Sequence, residues 1–295
     1  MWFWFFESRN EPRTAPLVSW FGGGPGNSAQ YGMFTQNGPC EILDNNTEPS
    51  LREFSLNNHA NVLYIDQPIG TGFSHGDGGK ANINFARDNS NRPLINYLKK
   101  CDGTGTAEDC SAAYLSYWTE LDQPILASAL DIYADFIMAD IQPGGVRPAT
   151  NHEEYLQRAD VQKAVGARVN YTDSGGAVAI RGSGDDAKSF LGEISHIVRD
   201  GVQVLIWAGD SDYVCNWLGT KRVADAVDWP KKEIFSQTDL QPYTVNGVQK
   251  ATFKSVKNLH YVRVFNAGHN VGSYQPETSL QLIAQSLSGK GLSST

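Results

Sequence analysis

A chain of 295 residues with 40% hydrophobic and 19% charged residues has the make-up of an ordinary globular protein, long enough for one large α/β domain or two small ones. A net charge of −8 with no basic stripe excludes a nucleic-acid partner, since nothing is there to neutralise phosphates. No apolar run approaches the length of a bilayer span, which argues against a membrane partner, and no internal repeat or low-complexity segment is present.

In chain order, Trp2–Phe6 reads as a β-strand; Glu7 and Arg9 come at once after it, so the apolar run is too short for a signal segment and lacks a basic lead. A strand that begins at the initiator methionine predicts that the chain starts late. Pro16–Phe21 is a second strand, emptying into Gly22-Gly23-Gly24-Pro25-Gly26-Asn27-Ser28. Glycine at this density lets backbone N–H groups turn toward a phosphate or an oxyanion; a tight turn with no ligand is the alternative. Gly24 to Ala29 formally matches the dinucleotide pattern G-x-G-x-x-A, but Gly32, Asn37, Gly38 and Pro39 interrupt any sustained helix and Asp44 falls in a turn, so no nucleotide cofactor is expected.

Asn61–Asp66 is the next strand. Gly72-Phe73-Ser74-His75-Gly76 beyond it matches G-x-S-x-G, the nucleophile elbow of hydrolases. That elbow needs a strand immediately before it and a helix immediately after. Here a Pro68/Gly70 loop precedes, and Asp77-Gly78-Gly79-Lys80, which cannot start a stable helix, comes after; the context argues against Ser74 as a nucleophile.

Residues 77–150 carry weaker signals: a short helix over Arg92–Lys100, a longer one over Leu121–Ile141 and a Pro/Gly linker over Gln142–Thr150. Glu153–Val169 is helical, in one or two pieces, with Asp160 as an N-cap. Phe190–Arg199 is an amphipathic helix feeding a strand at Val202–Ala208, and Ser279–Leu287 is the closing helix. Helix and strand thus alternate toward the C-terminus, which supports a parallel sheet. Cys101 and Cys110 are placed to close a small loop or to act, like Cys40 and Cys215, as small buried hydrophobes. No Cys/His grouping has zinc-ligand spacing, so no metal is expected. Asn45-Asn46-Thr47 and Asn170-Tyr171-Thr172 are glycosylation sequons and fit a secretory protein. His59, His75, His152, His196 and His260 lack a paired acid or a strand-end context and read as surface or packing residues.

The organising stretch is Val202–Gly219. Its strand is apolar apart from Gln203, as expected of one covered on both faces, and Gly209-Asp210-Ser211-Asp212 stands at its carboxyl end. A second strand, Tyr261–Asn266, delivers Ala267-Gly268-His269-Asn270 to the same edge, where open α/β sheets place functional side chains. An Asp and a later His on neighbouring strand ends form the back half of a hydrolase triad, in the chain order nucleophile, acid, histidine. A solvated Asp pair and a turn histidine are the plainer alternatives.

Five blocks then carry a family resemblance. Trp20-Phe21-Gly22-Gly23-Gly24-Pro25-Gly26 resembles the W-x-N-G-G-P-G segment of serine carboxypeptidases, and Asn37-Gly38-Pro39-Cys40 is similar to the stretch just downstream of that segment in the family. Asn61-Val62-Leu63-Tyr64-Ile65-Asp66-Gln67-Pro68-Ile69-Gly70-Thr71-Gly72-Phe73-Ser74 resembles their N-V-[LI]-[FY]-[LI]-D-Q-P-x-G-x-G-F-S. Tyr155-Leu156 with Asp160–Ala164, Gly209–Gly219, and Ala267-Gly268-His269 with Gln275-Pro276-Glu277 are similar to the later blocks, in the family's order. Fungal, secreted members are the ones most resembled.

The resemblance implies a single α/β-hydrolase-like domain over 1–295, with a mostly parallel sheet, flanking helices and a reduced cap or insertion at 77–150. It implies removal of C-terminal residues from peptides through an acyl-enzyme, without cofactor, in a secreted or vacuolar protein. Asp212 would orient the base His269, and the N–H of Gly24 would supply half of an oxyanion hole. Gly23, Gln36, Cys215 and Asn270 would line the substrate site, Cys215 as a free thiol and not a nucleophile. The chain also departs from the family. The G-x-S-Y-x-G segment that carries the nucleophile, with its strand and helix, is absent; Ser74 matches a non-nucleophilic serine; the carboxylate-binding asparagine is Gly22 and its glutamate companion Gln36. These departures predict an impaired carboxypeptidase short of its signal, first strands and elbow, or else a non-catalytic relative that binds peptides or a partner.

Overall fold

Alternating aromatic and small residues at the N-terminus give three strands with one strongly apolar face. In the computed structural model, which describes residues 1–23, 26–43, 48–76, 94–124, 139–142, 145, 148–175 and 187–295, β1 (Trp2–Phe6) runs antiparallel to β5 (Asn61–Asp66), and β2 (Leu17–Phe21) runs parallel to β5 on its other side. The short β3 (Cys40–Glu41) and β4 (Ser50–Leu51) pair separately. Trp2, Trp4, Phe6, Val62, Tyr64 and Trp20 on one face of the β1–β5–β2 sheet pack against Met33, Phe34, Leu56 and Leu156. The opposite face is open: the cross-strand rows Phe3–Ile65–Phe21 and Phe5–Leu63–Ser19 include exposed Phe3, Phe5 and Phe21, and Leu17 beside them is 65% exposed.

The second sheet has the order β6 (Val204–Gly209), β9 (Leu259–Val264), β8 (Val248–Val256), β7 (Gln241–Val245). Its β6–β9 pairing is parallel and the other two are antiparallel. Leu205, Trp207, Val262 and Val264 pack with Leu282 of the Pro276–Ser288 helix. Val204, Ile206, Leu259 and Tyr261 pack on the other face with Val198, Ala224 and Phe235 from three helices. A Leu282→Ala cavity between such layers costs about 2–5 kcal/mol.

The α/β class stands, but strand pairing is mixed instead of mostly parallel. The reason lies in two tight turns. Asn246 and Gly247 both have positive φ (51° and 74°), the backbone of a two-residue hairpin loop, and Lys257 (φ 52°) opens the next. Such short turns send the chain straight back, so residues 241–264 form an antiparallel meander in place of the expected helix–strand alternation.

Three of the expected helices are found with somewhat shifted bounds, Leu94–Thr104, Leu191–Arg199 and Pro276–Ser288, while Ala107–Ser116 and Lys232–Gln237 are helices that the sequence pattern does not place. The 153–169 segment divides into His152–Gln157 and Ala159–Ala164 at Arg158, which adopts extended backbone and is itself the cap. Asp160 is therefore not the N-cap; its carboxylate is held by the Arg158 guanidinium at 2.6 and 3.1 Å. Of the expected Leu121–Ile141 helix, residues 125–138 lie outside the described residues, while Asp140 and Ile141 are not helical. Cys101 and Cys110 are disulfide-bonded and tie the Leu94–Thr104 and Ala107–Ser116 helices together; Cys40 and Cys215 are free thiols. Among the described residues no helix is long and apolar enough to cross a membrane.

Candidate active site

Parallel pairing of β6 and β9 brings their carboxyl ends, Gly209 and Val264, side by side. The loops beyond them are laced together: Asp210 N–H donates to Val264 O (2.9 Å) and Ser211 N–H to Ala267 O (2.9 Å). Gly209 is what permits this closeness, because a Cβ there would stand 2.1 Å from Ala267 O. A third segment braces both loops. His269 N–H donates to Ala139 O (2.7 Å), Ile141 N–H to Ser211 O (2.9 Å), and Gln142 Nε2 to Ser211 Oγ (2.7 Å).

Between the loops, His269 Nδ1 lies 3.0 Å from Asp212 Oδ2. The second oxygen of Asp212 accepts the Cys215 N–H at 3.1 Å. Asp212 is buried (4% exposed), whereas the His269 side chain is 40% exposed, the arrangement of an orienting carboxylate behind an accessible imidazole. The hydrogen bond that the Asp212 carboxylate accepts from His269, then the interaction with the Cys215 side chain, raises the His269 pKa to about 10 against the opposing effect of burial. Asp210, the other carboxylate of the loop, turns away toward Arg263 (3.6 Å), whose guanidinium lies over the Trp217 ring. Asp212, Cys215 and His269 also present donor atoms within 4.8 Å of one another. That set suits a soft divalent ion, although a protonated imidazole competes with one.

The N-terminal half reaches this pair through Asn270 and the helix after it. The Asn270 amide donates to the Tyr31 hydroxyl, and Ser273 Oγ donates to Thr35 O at 2.7 Å. Gln36 packs against the backbone of Gly272, where a Cβ would meet Gln36 Cβ at 3.1 Å. Gly23 lies in the glycine loop, its carbonyl accepting Asn27 N–H at 3.0 Å. Gly24 is outside the described residues. Gly22 has no room for a side chain: a Cβ would fall 2.0 Å from Asn27 O, so the asparagine of the related motif does not fit this loop as folded.

The end of the glycine loop hangs on Asp66, a residue to which no motif gives a role. Asp66, fully buried, accepts Ser28 Oγ (2.6 Å), Ala29 N–H (3.1 Å) and Phe73 N–H (3.1 Å). Burial raises its pKa and these bonds counter the rise. Ser74 is likewise structural. Its buried hydroxyl donates to Asp66 O and accepts Trp2 N–H, both at 2.7 Å, and so fastens β1 to the end of β5. Two of the histidines expected to lack an acid do face one: His152 faces Asp173 (3.7 Å), a partner that folding brings near, and His196 faces Asp200 (3.5 Å), four residues on along the same helical turn, a spacing the sequence already shows. His260 is bound by Ser255 (2.5 Å) and Gln203 (2.8 Å) within the sheet.

The serine carboxypeptidase profile matches residues 1–126 and 134–289. The chain belongs to the serine carboxypeptidase family. It is 34% identical to carboxypeptidase S1 of Penicillium janthinellum over 400 aligned positions, covering 100% of this chain and 93% of that protein. It is 28% identical to carboxypeptidase Y of Schizosaccharomyces pombe, covering 98% of this chain and 40% of that protein. In fold it is similar to a prohormone-processing carboxypeptidase from Saccharomyces cerevisiae, with a TM-score of 0.68, 17% identity and coverage of 98% of this chain and 86% of that one. Membership makes the chain a relative of peptidases, hydrolases that act on peptide substrates, and the α/β-hydrolase-like class agrees with the structural likeness.

Proposed function

We propose that this chain engages the C-terminal end of peptides at the Asp212–His269 pair and that its turnover is impaired. The observation that carries the reading is the 3.0 Å contact between His269 and Asp212 in a ring whose other nitrogen, among the described residues, meets no serine hydroxyl. In an intact hydrolase of this kind the imidazole takes the proton of a serine as it attacks the scissile carbonyl and returns it to the leaving amine, while the carboxylate fixes the tautomer. Asp212 and His269 fit the last two roles. Gly24 is assigned to the oxyanion hole, and Gly23, Gln36, Cys215 and Asn270 to the walls of the substrate site. The alignment with the Penicillium relative, 400 positions against 295 residues here, leaves room for a strand–elbow–helix segment that this chain lacks. Loss of a nucleophile lowers turnover by several orders of magnitude, leaving only what binding and the oxyanion hole supply.

A second reading, a non-catalytic peptide binder, is favoured by the raised His269 pKa. An imidazolium has no lone pair to receive a proton, but it donates well to a carboxylate. A secretory or vacuolar location, a single domain over 1–295 and no nucleic-acid or membrane partner complete the proposal. Fluorescence anisotropy with a peptide bearing a free C-terminus, against the same peptide amidated, tests the binding claim; equal affinity for both would refute it. Fluorophosphonate labelling tests the impairment: we expect none, and rapid labelling at a serine would overturn that part.

A further inference from the structure

His152 opens the His152–Gln157 helix and is 1% exposed. Phe34 stacks on its ring (6.0 Å between centroids, 17°), and Tyr31 and Tyr171 meet it edge-on at 5.5 and 6.2 Å. Despite this enclosure, neither ring nitrogen has a hydrogen-bond partner among the described residues. Buried polar groups almost always have one, and an orphan calls for an explanation such as an ion. One side of the ring is acidic. Nε2 stands 3.7 Å from Asp173 Oδ1, too far for a hydrogen bond, and Glu153 is adjacent in sequence and half-buried. Donor atoms of His152, Glu153 and Asp173 all lie within 4.8 Å of one another.

We propose that His152, Glu153 and Asp173 hold one divalent transition-metal ion of the zinc class. One imidazole nitrogen and two carboxylate oxygens suit such a cation, and the two negative charges balance it. An ion about 2.0–2.2 Å from each donor spaces them about 3–4 Å apart, a contraction that small side-chain rotations supply. The surroundings are those of ligands held from behind: the Tyr171 hydroxyl donates to Asp173 Oδ1 at 2.7 Å, orienting the carboxylate. The ion would be a brace. Ser28 N–H donates to Asp173 O at 2.6 Å and Ser28 Oγ binds Asp66, so the loop that ends the glycine run would be locked to the His152–Gln157 helix. No spacing rule reveals these ligands, because His152 and Asp173 come from separate segments joined only by folding.

Cobalt(II) titration of chelator-dialysed protein tests the proposal. The Cys215→Ser variant is used as the parent, so that the Asp212–Cys215–His269 group contributes no thiolate ligand. We expect one equivalent to bind with a visible ligand-field band, zinc to displace it, and zinc to raise the melting temperature. Glu153→Gln, with its fold verified by circular dichroism, should weaken binding at least about 10-fold, and Tyr171→Phe about 10-fold through the lost orienting bond. Absence of both the band and the zinc-dependent thermal shift in the parent would overturn the assignment, as would unchanged affinity in Glu153→Gln. A low-affinity band surviving in both variants would mean that the ion sits elsewhere and would equally overturn it.

Discussion

Replacing Asp212 with Asn removes the charge that holds His269 protonated while leaving its shape. With a pKa of about 10, His269 carries its proton about 100:1 at pH 8; at the ordinary value near 6.5 the ratio is about 1:30. The amide also sets a donor against Nδ1, favouring the wrong tautomer. An NMR titration of the His269 ring proton, assigned by comparison with His269→Gln, reads the change directly. We expect the midpoint to fall by at least about two units in Asp212→Asn. A parent midpoint below about 7.5, or a fall of less than about one unit, would refute the electrostatic reasoning. The linked stability has a definite sign: because the folded-state pKa is raised, the contribution is complete below about pH 6.5 and disappears as pH climbs through about 10. Unscreened, the full shift would correspond to about 5 kcal/mol. The ring is 40% exposed, however, and water screens the pair, so urea denaturation should find about 1 kcal/mol.

Other perturbations separate structural from chemical roles. Ser74→Ala should leave peptide binding unchanged yet lower stability by about 1–3 kcal/mol in urea denaturation, since Trp2 N–H and Asp66 O lose a shared partner. Gly209→Ala should drive the Asp212 and His269 loops apart, because its methyl has only 2.1 Å to Ala267 O; the His269 midpoint should fall toward the ordinary value while far-ultraviolet circular dichroism stays native. Cys101→Ser should destabilise the Leu94–Thr104 and Ala107–Ser116 pair by about 2–3 kcal/mol, seen as faster proteolytic cleavage within 94–116.

The parts of the molecule most legible in the sequence are those where chemistry and periodicity coincide. Asn61–Asp66 is a strand with the anticipated bounds, and Asp212 and His269 meet because each lies just past the end of a strand of a parallel pair. The features that sequence alone hides depend on contacts between distant segments. Asp66 is an ordinary strand-end acid until Ser28 and Phe73 fold onto it, and His152 becomes an orphan only once Phe34, Tyr31 and Tyr171 enclose it. Ala139–Gln142, which steadies both site loops, shows no motif because two of its contacts are made by a backbone carbonyl and an N–H and the third by an ordinary glutamine amide. The Asn246-Gly247 pair is the one local signal of the meander: that dipeptide favours a hairpin, and here it joins the antiparallel strands β7 and β8.

The bare side of the β1–β5–β2 sheet has a consequence for handling the protein. A net charge of −8 pushes molecules apart over the screening distance, about 10 Å at 0.1 M salt, while the tile of Phe3, Phe5, Leu17 and Phe21 pulls at contact. Sulfate weakens the first force and strengthens the second. Solubility should therefore fall as ionic strength rises, the reverse of salting-in, and light scattering should register the fall well before any loss of secondary structure.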